Sequence, residues 1–240
     1  MQIFRSKFSI LAFTLFAALF VFSSCRKDAQ EVVQLLTDSE AAEIAESAVA
    51  ERTAGTTMPT IDMTEILAAI PQTCDVPGDT SLQKTGGVAG TSYNYTFTLG
   101  WLVDCNDFSI PQSASVDVTG AGTFSSAHWS GNDQCTGDLA ITGLAPSATD
   151  YVVNGSFDLT GSLTGSLRHN DPTLSVQTTV NLSNMTIRKS DYLITGGNGT
   201  LVITASNAQG NTQTLNGTLV FNGDGTVTVT INGHSHNFPI

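Results

Sequence analysis

A strict alternation of apolar and polar residues runs from Tyr151 to Leu167 and leaves few folds open to this chain. The odd positions carry Tyr, Val, Gly, Phe and Leu, whereas the even positions after Val152 carry Asn, Ser, Asp and Thr. A period of two is typical of a β-strand with one buried and one solvated face. The glycines of this stretch lie on the apolar phase, where a glycine lets a strand bend. The segment therefore predicts one long, strongly curved strand or two shorter strands.

The same period of two continues, with interruptions, from about residue 80 to the C terminus. Short turns rich in Gly and Asn separate the apolar runs, for example at 196–199, 222–225 and 232–233. The phase slips by one residue near Asn184, which indicates a β-bulge. Such short connections favour antiparallel pairing of neighbouring strands and leave no room for crossover helices. Residues 73–240 are therefore predicted to form one all-β domain, an antiparallel meander of nine or ten strands built as a sandwich or a curved, open, barrel-like sheet.

Residues 37–72 have a different composition, rich in Ala and Glu, which are strong helix formers. Thr37 and Glu40 have the spacing of a capping box at the start of a helix that extends to about residue 52. A second short helix is predicted over about 62–70. The apolar stripe of the first helix is thin, and we expect that helix to be shallowly buried. We therefore interpret 37–72 as a helical tether that precedes the β domain.

The first 25 residues have the pattern of an export signal. Arg5 and Lys7 precede a stretch of 15 uncharged residues, Phe8–Phe22, which is too short to span a bilayer comfortably. Ser23, Ser24 and Cys25 follow, and this end resembles a bacterial lipobox, in which the cysteine is diacylated. The resemblance implies that 1–24 is a signal peptide, that Cys25 carries the lipid, and that 25–36 is the lipidated N terminus and its linker. The protein is then exported and anchored by its lipid in the membrane, with the outer membrane as the expected location, on either its periplasmic face or the cell surface.

The charge distribution excludes a nucleic-acid partner. The formal net charge is −12, and only four basic residues follow residue 66, against twelve Asp. Nucleic-acid binding needs a basic surface that displaces counterions from phosphate. Loss of residues 1–24 would remove Arg5 and Lys7 but no acidic residue, so the mature chain is still more acidic than the full sequence.

The chain also resembles a family of small secreted lipoproteins from Gram-negative bacteria. Members of that family have an Ala-rich helical N terminus and a β region rich in Thr, Asn and Gly, and the family has no assigned activity. The resemblance covers about residues 35–238 and lies in core, turn and cysteine positions rather than in a catalytic motif. The matching positions are Cys74, Tyr93-Asn-Tyr95, Trp101, Cys105, Ile110-Pro111, Thr142-Gly143-Leu144, Tyr151, Asn154-Gly155, Asn216-Gly217-Thr218-Leu219 and Phe221.

Three cysteines remain when Cys25 is set aside: Cys74, Cys105 and Cys135. Because an exported protein meets an oxidising compartment, we expect one disulfide and one free thiol. Cys74–Cys105 and Cys105–Cys135 would close loops of nearly the same length, so chain entropy does not choose between them. The family resemblance implies the first pair, Cys74 and Cys105.

Two histidines and four aspartates are the candidate metal-binding residues. If Asn232-Gly233 is a two-residue hairpin turn, His234 and His236 lie on the face of the apolar residues across the hairpin. Such a pair could bind a metal ion together with further ligands, or it could cap the open end of the core. Asp104, Asp107, Asp133 and Asp138 fall near predicted loops, and we interpret them as solvated loop acids rather than calcium ligands.

The sequence therefore predicts a cell-envelope lipoprotein whose β domain is a non-catalytic binding or structural module. Its partner would be an apolar ligand, a glycan or an envelope protein, and no cofactor is expected. The alternative is an envelope hydrolase that acts on glycans or peptides through Asp and His side chains. No catalytic residue is assigned.

Overall fold

Ten antiparallel strands in chain order form a single sheet. The structure, a computed structural model, describes residues 34–69, 73–88, 90–165 and 172–240. Each strand pairs with the strands before and after it, so β1 and β10 are the two edges and the sheet is not closed. The prediction of an antiparallel meander is confirmed, with one open sheet instead of the two sheets of a sandwich. The strands are β1 Gly78–Gly86, β2 Ser92–Cys105, β3 Pro111–Ser125, β4 Trp129–Thr142, β5 Asp150–Gly165, β6 Thr173–Arg188, β7 Ile194–Ser206, β8 Thr212–Phe221, β9 Thr226–Ile231 and β10 His234–Pro239.

The alternating segment that begins at Tyr151 belongs to one long strand, β5, rather than to two short ones. Its register against β6 shifts between Val153 and Gly155, and Gly155 has a φ of +151°, a conformation that favours glycine. A second register shift interrupts the pairing of β6 with β7 between Ser183 and Thr186, and Asn184 lies within it at a φ of +50°. The predicted bulge near Asn184 is therefore confirmed.

The two faces of the sheet have different chemistry. The inner face carries the apolar residues of the alternating runs, most of them buried, and the outer face carries mainly Thr, Ser, Asn and Gln. Many outer hydroxyl groups bond across strands, and such cross-strand pairs stabilise a sheet without charged side chains. This arrangement explains the low charge of the β region. The hydroxyl pairs are Ser92–Ser125, Thr164–Thr173, Thr204–Thr214, Ser206–Thr212 and Thr230–Ser235.

Two α-helices precede the sheet. Helix α1 (Asp38–Val49) begins with the predicted capping box, in which Thr37 and Glu40 bond each other's backbone N–H groups. A 3₁₀ turn (Glu51–Thr53) leads into helix α2 (Thr57–Ala69), which begins earlier than predicted. Helix α1 contacts β6, β7, β9 and β10, and α2 contacts β2. Both helices therefore cover the inner face of the sheet.

The expectation that helix α1 is shallowly buried is wrong. Half of its residues are buried, and all of these except Ala42 belong to the same core cluster as the inner face of the sheet. Most of these side chains are alanine methyl groups, which let the helix lie close to the strands. The apolar stripe of the helix is therefore excluded from water although its side chains are small. Residues 37–69 are thus a packed part of the domain and not a tether ahead of it. The buried residues of α1 are Ala41, Ala42, Ile44, Ala45, Ala48 and Val49.

Inner-face glycines make room for aromatic rings. Gly137 on β4 is directly opposite Phe157 on β5, and a Cβ atom at residue 137 would lie 2.5 Å from the Phe157 ring. Phe157 is fully buried. A side chain at residue 137 would displace that ring, so glycine at this position allows the core to close around the aromatic residue.

Two like charges lie opposite each other on the outer face. Asp117 on β3 is directly opposite Asp138 on β4, and both are exposed. Like charges at such positions destabilise a sheet by roughly 0.2–1 kcal/mol. We expect Asp138→Asn to raise the free energy of unfolding by about that amount in low-salt urea denaturation, and the gain to shrink in 1 M NaCl. Asp79→Asn, opposite Gly100, is the control; an equal gain there would contradict the pairing argument.

Candidate functional site

An apolar tip stands at the end of the sheet where β2 turns into β3. It consists of Val76, Leu102, Phe108 and Ile110, which are four of the seven large apolar side chains exposed among the described residues. Phe108 is the most exposed of them, at 84%. A group of exposed apolar side chains at one place is a mark of an interaction site, whereas scattered ones are ordinary. We call these four residues the tip.

The tip is held in a fixed conformation. The Asn106 side-chain oxygen accepts hydrogen bonds from the backbone N–H groups of Phe108 and Ile110, both at 3.0 Å. The Asn106 and Ile110 backbones bond each other directly. The Cys74–Cys105 disulfide fastens the segment before β1 to the end of β2 beside the tip, and its Cα atoms are 5.6 Å apart. The predicted disulfide is therefore present, and Phe108 projects from a loop that is already ordered.

Three exposed carboxylates accompany the tip. Asp75, Asp104 and Asp107 are adjacent in sequence to Val76, Cys105 and Phe108, and the backbone N–H of Asp75 bonds the Val103 carbonyl. Within the described chain, none of the three has a basic partner within 4.0 Å. The tip is thus apolar with an uncompensated acidic surround.

Two basic residues at this end of the sheet, Arg188 and Lys189, are already engaged. Arg188 forms a two-point salt bridge with Asp191, at 2.6 and 2.9 Å, which raises the pKa of the guanidinium and lowers that of the carboxyl. The Lys189 ammonium donates to the Ala145 carbonyl at 2.8 Å and lies 4.9 Å from the centre of the Tyr151 ring. Neither cation neutralises the tip.

The described chain begins at the other end of the sheet. The backbone N–H groups of Leu35 and Leu36 both donate to the Gln213 side chain, at 2.7 Å, near the start of β8. Asp38 accepts from the side chain of Asn232, in the β9–β10 turn. The start of the described chain and the tip therefore lie at opposite ends of the long strands. With 13 to 16 residues each, β2 to β7 span roughly 40–50 Å.

The Asp133 carboxylate lies on the inner face of the sheet. Asp133 is on β4, in the inward phase, and its Oδ1 atom is buried without a hydrogen-bond partner in the described structure. Burial raises the pKa of Asp133 to about 6, against the opposing effect of a hydrogen bond from the Tyr95 side chain. Burial also raises the pKa of Tyr95. The interpretation of Asp133 as a solvated loop acid is wrong, because the residue lies within a strand and points to the buried face.

The cavity beside Asp133 is too small for a lipid or a sugar. It lies between helix α1 and strands β3 to β6, and its volume is about 30 Å³, enough for a water molecule. Small-molecule sites usually measure several hundred Å³. Helix α1 covers this part of the inner face, and its residues Ile44, Ser47 and Ala48 form one wall of the cavity. The cavity is lined by Ile44, Ser47, Ala48, Phe124, Asp133, Leu159, Gly161, Leu163, Val176 and Thr178.

Cys135 lies in an environment unlike that of a nucleophilic cysteine. Cys135 is free and buried on the inner face of β4. Burial, followed by the nearby Asp133 carboxylate, raises the pKa of its thiol to about 12. The thiol is therefore protonated at neutral pH, whereas nucleophilic cysteines have a lowered pKa.

The predicted hairpin of the two histidines is confirmed. Ile231 pairs with His234 and Val229 pairs with His236, on the inward phase of edge strand β10. The His234 ring is exposed, with its Nε2 atom 3.6 Å from Asp38 Oδ2, and the His236 Nε2 atom is buried. Across the described ranges, no group of three or more His, Cys, Asp or Glu side chains could hold a metal ion. Metal binding by the two histidines stays a prediction.

The other predicted residues are dispersed. Asp104, Asp107 and Asp138 are exposed, and the loop prediction is wrong for Asp104 and Asp138, which lie on strands β2 and β4. Cys25, the predicted lipidation site, lies outside the described residues. Among the residues that the structure describes, no helix is both long and apolar enough to cross a bilayer.

Both sites that the sequence interpretation missed leave a signal in the sequence. Asp133 has the parity of Cys135 and Leu139, so the alternation of β4 places it on the inner face. Phe108 and Ile110 interrupt a polar turn, where large apolar residues are unexpected. Comparisons of this chain with family models, curated proteins and solved structures found no match.

Proposed function

We propose that this protein is a lipid-anchored module of the bacterial cell envelope that acts by binding a partner and not by catalysis. The main support is the division of the domain into a filled core and an exposed, fixed tip. Helix α1 packs on the inner face, and the cavity between it and strands β3 to β6 measures about 30 Å³, so a lipid or a sugar has no room there. The tip, in contrast, presents apolar surface on a disulfide-fastened loop.

The lipobox-like sequence at Cys25 supports the anchor. The chain between Cys25 and Gln34 can span at most about 30 Å when fully extended. The end of the sheet that contacts Leu35 and Leu36 is therefore the end near the bilayer under this proposal. Two or more acyl chains hold a protein stably on a membrane, so no spanning helix is needed.

Metabolic labelling tests the anchor. We expect the full chain to incorporate an alkyne-tagged palmitate analogue and to sediment with the envelope. Cys25→Ser should lose the label completely and retain residues 1–24, visible as a mass increase. Cys135→Ser is the matched control and should keep the label. Label on the Cys25→Ser protein, or turnover of envelope glycans or peptides by the purified protein, would contradict the proposal.

A further inference from the structure

We infer that the tip is the docking surface for a protein partner that offers an apolar pocket with Lys or Arg at its rim. The inference rests on the proposed function and specifies its partner. The apolar part of the surface comes from Phe108 and Ile110, and the acidic part comes from Asp104 and Asp107 beside them.

The form of the tip suits insertion into a pocket. Phe108 stands almost free of the domain, and bonds from its own loop fix the backbone on both sides of it. A loop whose backbone is ordered before binding loses less conformational entropy when it docks than a flexible loop does. Aromatic residues at the centre of an interface contribute most of the affinity when they are fully desolvated.

The charge around the tip selects the partner. Three carboxylates without basic neighbours would repel an anionic surface and attract a cationic one, and such complementarity mainly raises the association rate. A second copy of this chain would bring three further carboxylates against them. The tip is also at the opposite end of the strands from Leu35, where the proposed anchor joins the domain, so the anchoring bilayer is not the expected occupant.

Site-specific photocrosslinking in cells tests the docking surface. The photoreactive amino acid p-benzoylphenylalanine replaces Phe108 in the full chain, and a control variant carries it at Val220, which is 44% exposed on β8. We expect a discrete adduct with a different protein from residue 108 and none from residue 220. Mass spectrometry should map the adduct to a segment with an excess of Lys and Arg.

A charge-reversal pair tests the acidic surround. Asp104→Lys with Asp107→Lys should reduce the yield of the adduct about tenfold, the lower range of electrostatic steering effects. The matched pair Asp117→Lys with Asp138→Lys changes the same charge on the outer face and should leave the yield unchanged. Circular dichroism melting curves of each variant confirm that the fold is retained.

Each alternative occupant overturns the inference. An adduct with lipid, with a second copy of the chain, or with the same proteins from residues 108 and 220 would do so. The absence of an adduct would also overturn it, as would an equal loss of adduct yield in both charge-reversal pairs. The palmitate label of the same strains separates the two proposals: an unlabelled protein that still forms the basic adduct refutes the anchor alone, and a labelled protein without the adduct refutes the docking surface alone.

Discussion

Asp133→Asn is expected to stabilise the protein at pH 8 by roughly 2–3 kcal/mol more than it does at pH 4. The pKa of Asp133 is raised from its ordinary 3.8 to about 6 in the folded protein. A raised pKa means that the stabilising form is the protonated one. Its contribution is fully present below pH 3.8 and is lost as the pH rises through about 6. Each unit of pKa difference corresponds to about 1.4 kcal/mol.

Urea denaturation across the pH range measures this difference. The asparagine keeps the shape of the carboxyl group and an oxygen that accepts from Tyr95, but it does not ionise. Asp79→Asn, at an exposed carboxylate on β1, is the control and should change the stability by a small amount at every pH. A constant difference between Asp133→Asn and the wild-type protein from pH 4 to pH 8 would show that the Asp133 carboxyl does not titrate in a buried environment.

Removal of the disulfide is the second large effect. The double variant Cys74→Ser/Cys105→Ser should lose roughly 3–4 kcal/mol of unfolding free energy, because the bridge closes a 31-residue separation and restricts the unfolded chain. Reductant provides the internal control. Dithiothreitol should destabilise the wild-type protein and Cys135→Ala by a similar amount and leave the double variant unchanged. A double variant as stable as the oxidised wild type would refute the entropic argument.

The disulfide also stabilises the loop of the proposed docking surface. The bridge joins the chain before β1 to the end of β2, directly beside Asn106 and Phe108. Its loss should loosen this end of the sheet before the rest unfolds, since local opening begins where fixed contacts are fewest. Hydrogen exchange of the Phe108 and Ile110 amides, both bonded to Asn106, would measure that loosening.

The sequence by itself determined the strands, their order and their faces. Alternation with a period of two predicts, for each residue of β5, which of the two faces of the sheet it lies on. Turns such as Asn232-Gly233 fix the register of the hairpin that they close. These are local rules, so the pairing of His234 with Ile231 and the bulge at Asn184 were predictable from short segments. The same rule places Asp133 on the inner face, where the structure finds it.

Only the tertiary structure decided which distant elements meet. Loop entropy is nearly the same for Cys74–Cys105 and Cys105–Cys135, so the choice depends on three-dimensional proximity, and Cys135 points into the core while Cys74 lies beside Cys105. The burial of helix α1 is also nonlocal, because small alanine side chains bury well only where a sheet closes over them. That packing places helix α1 in the core on the inner face of the sheet, while the tip residues remain exposed to solvent.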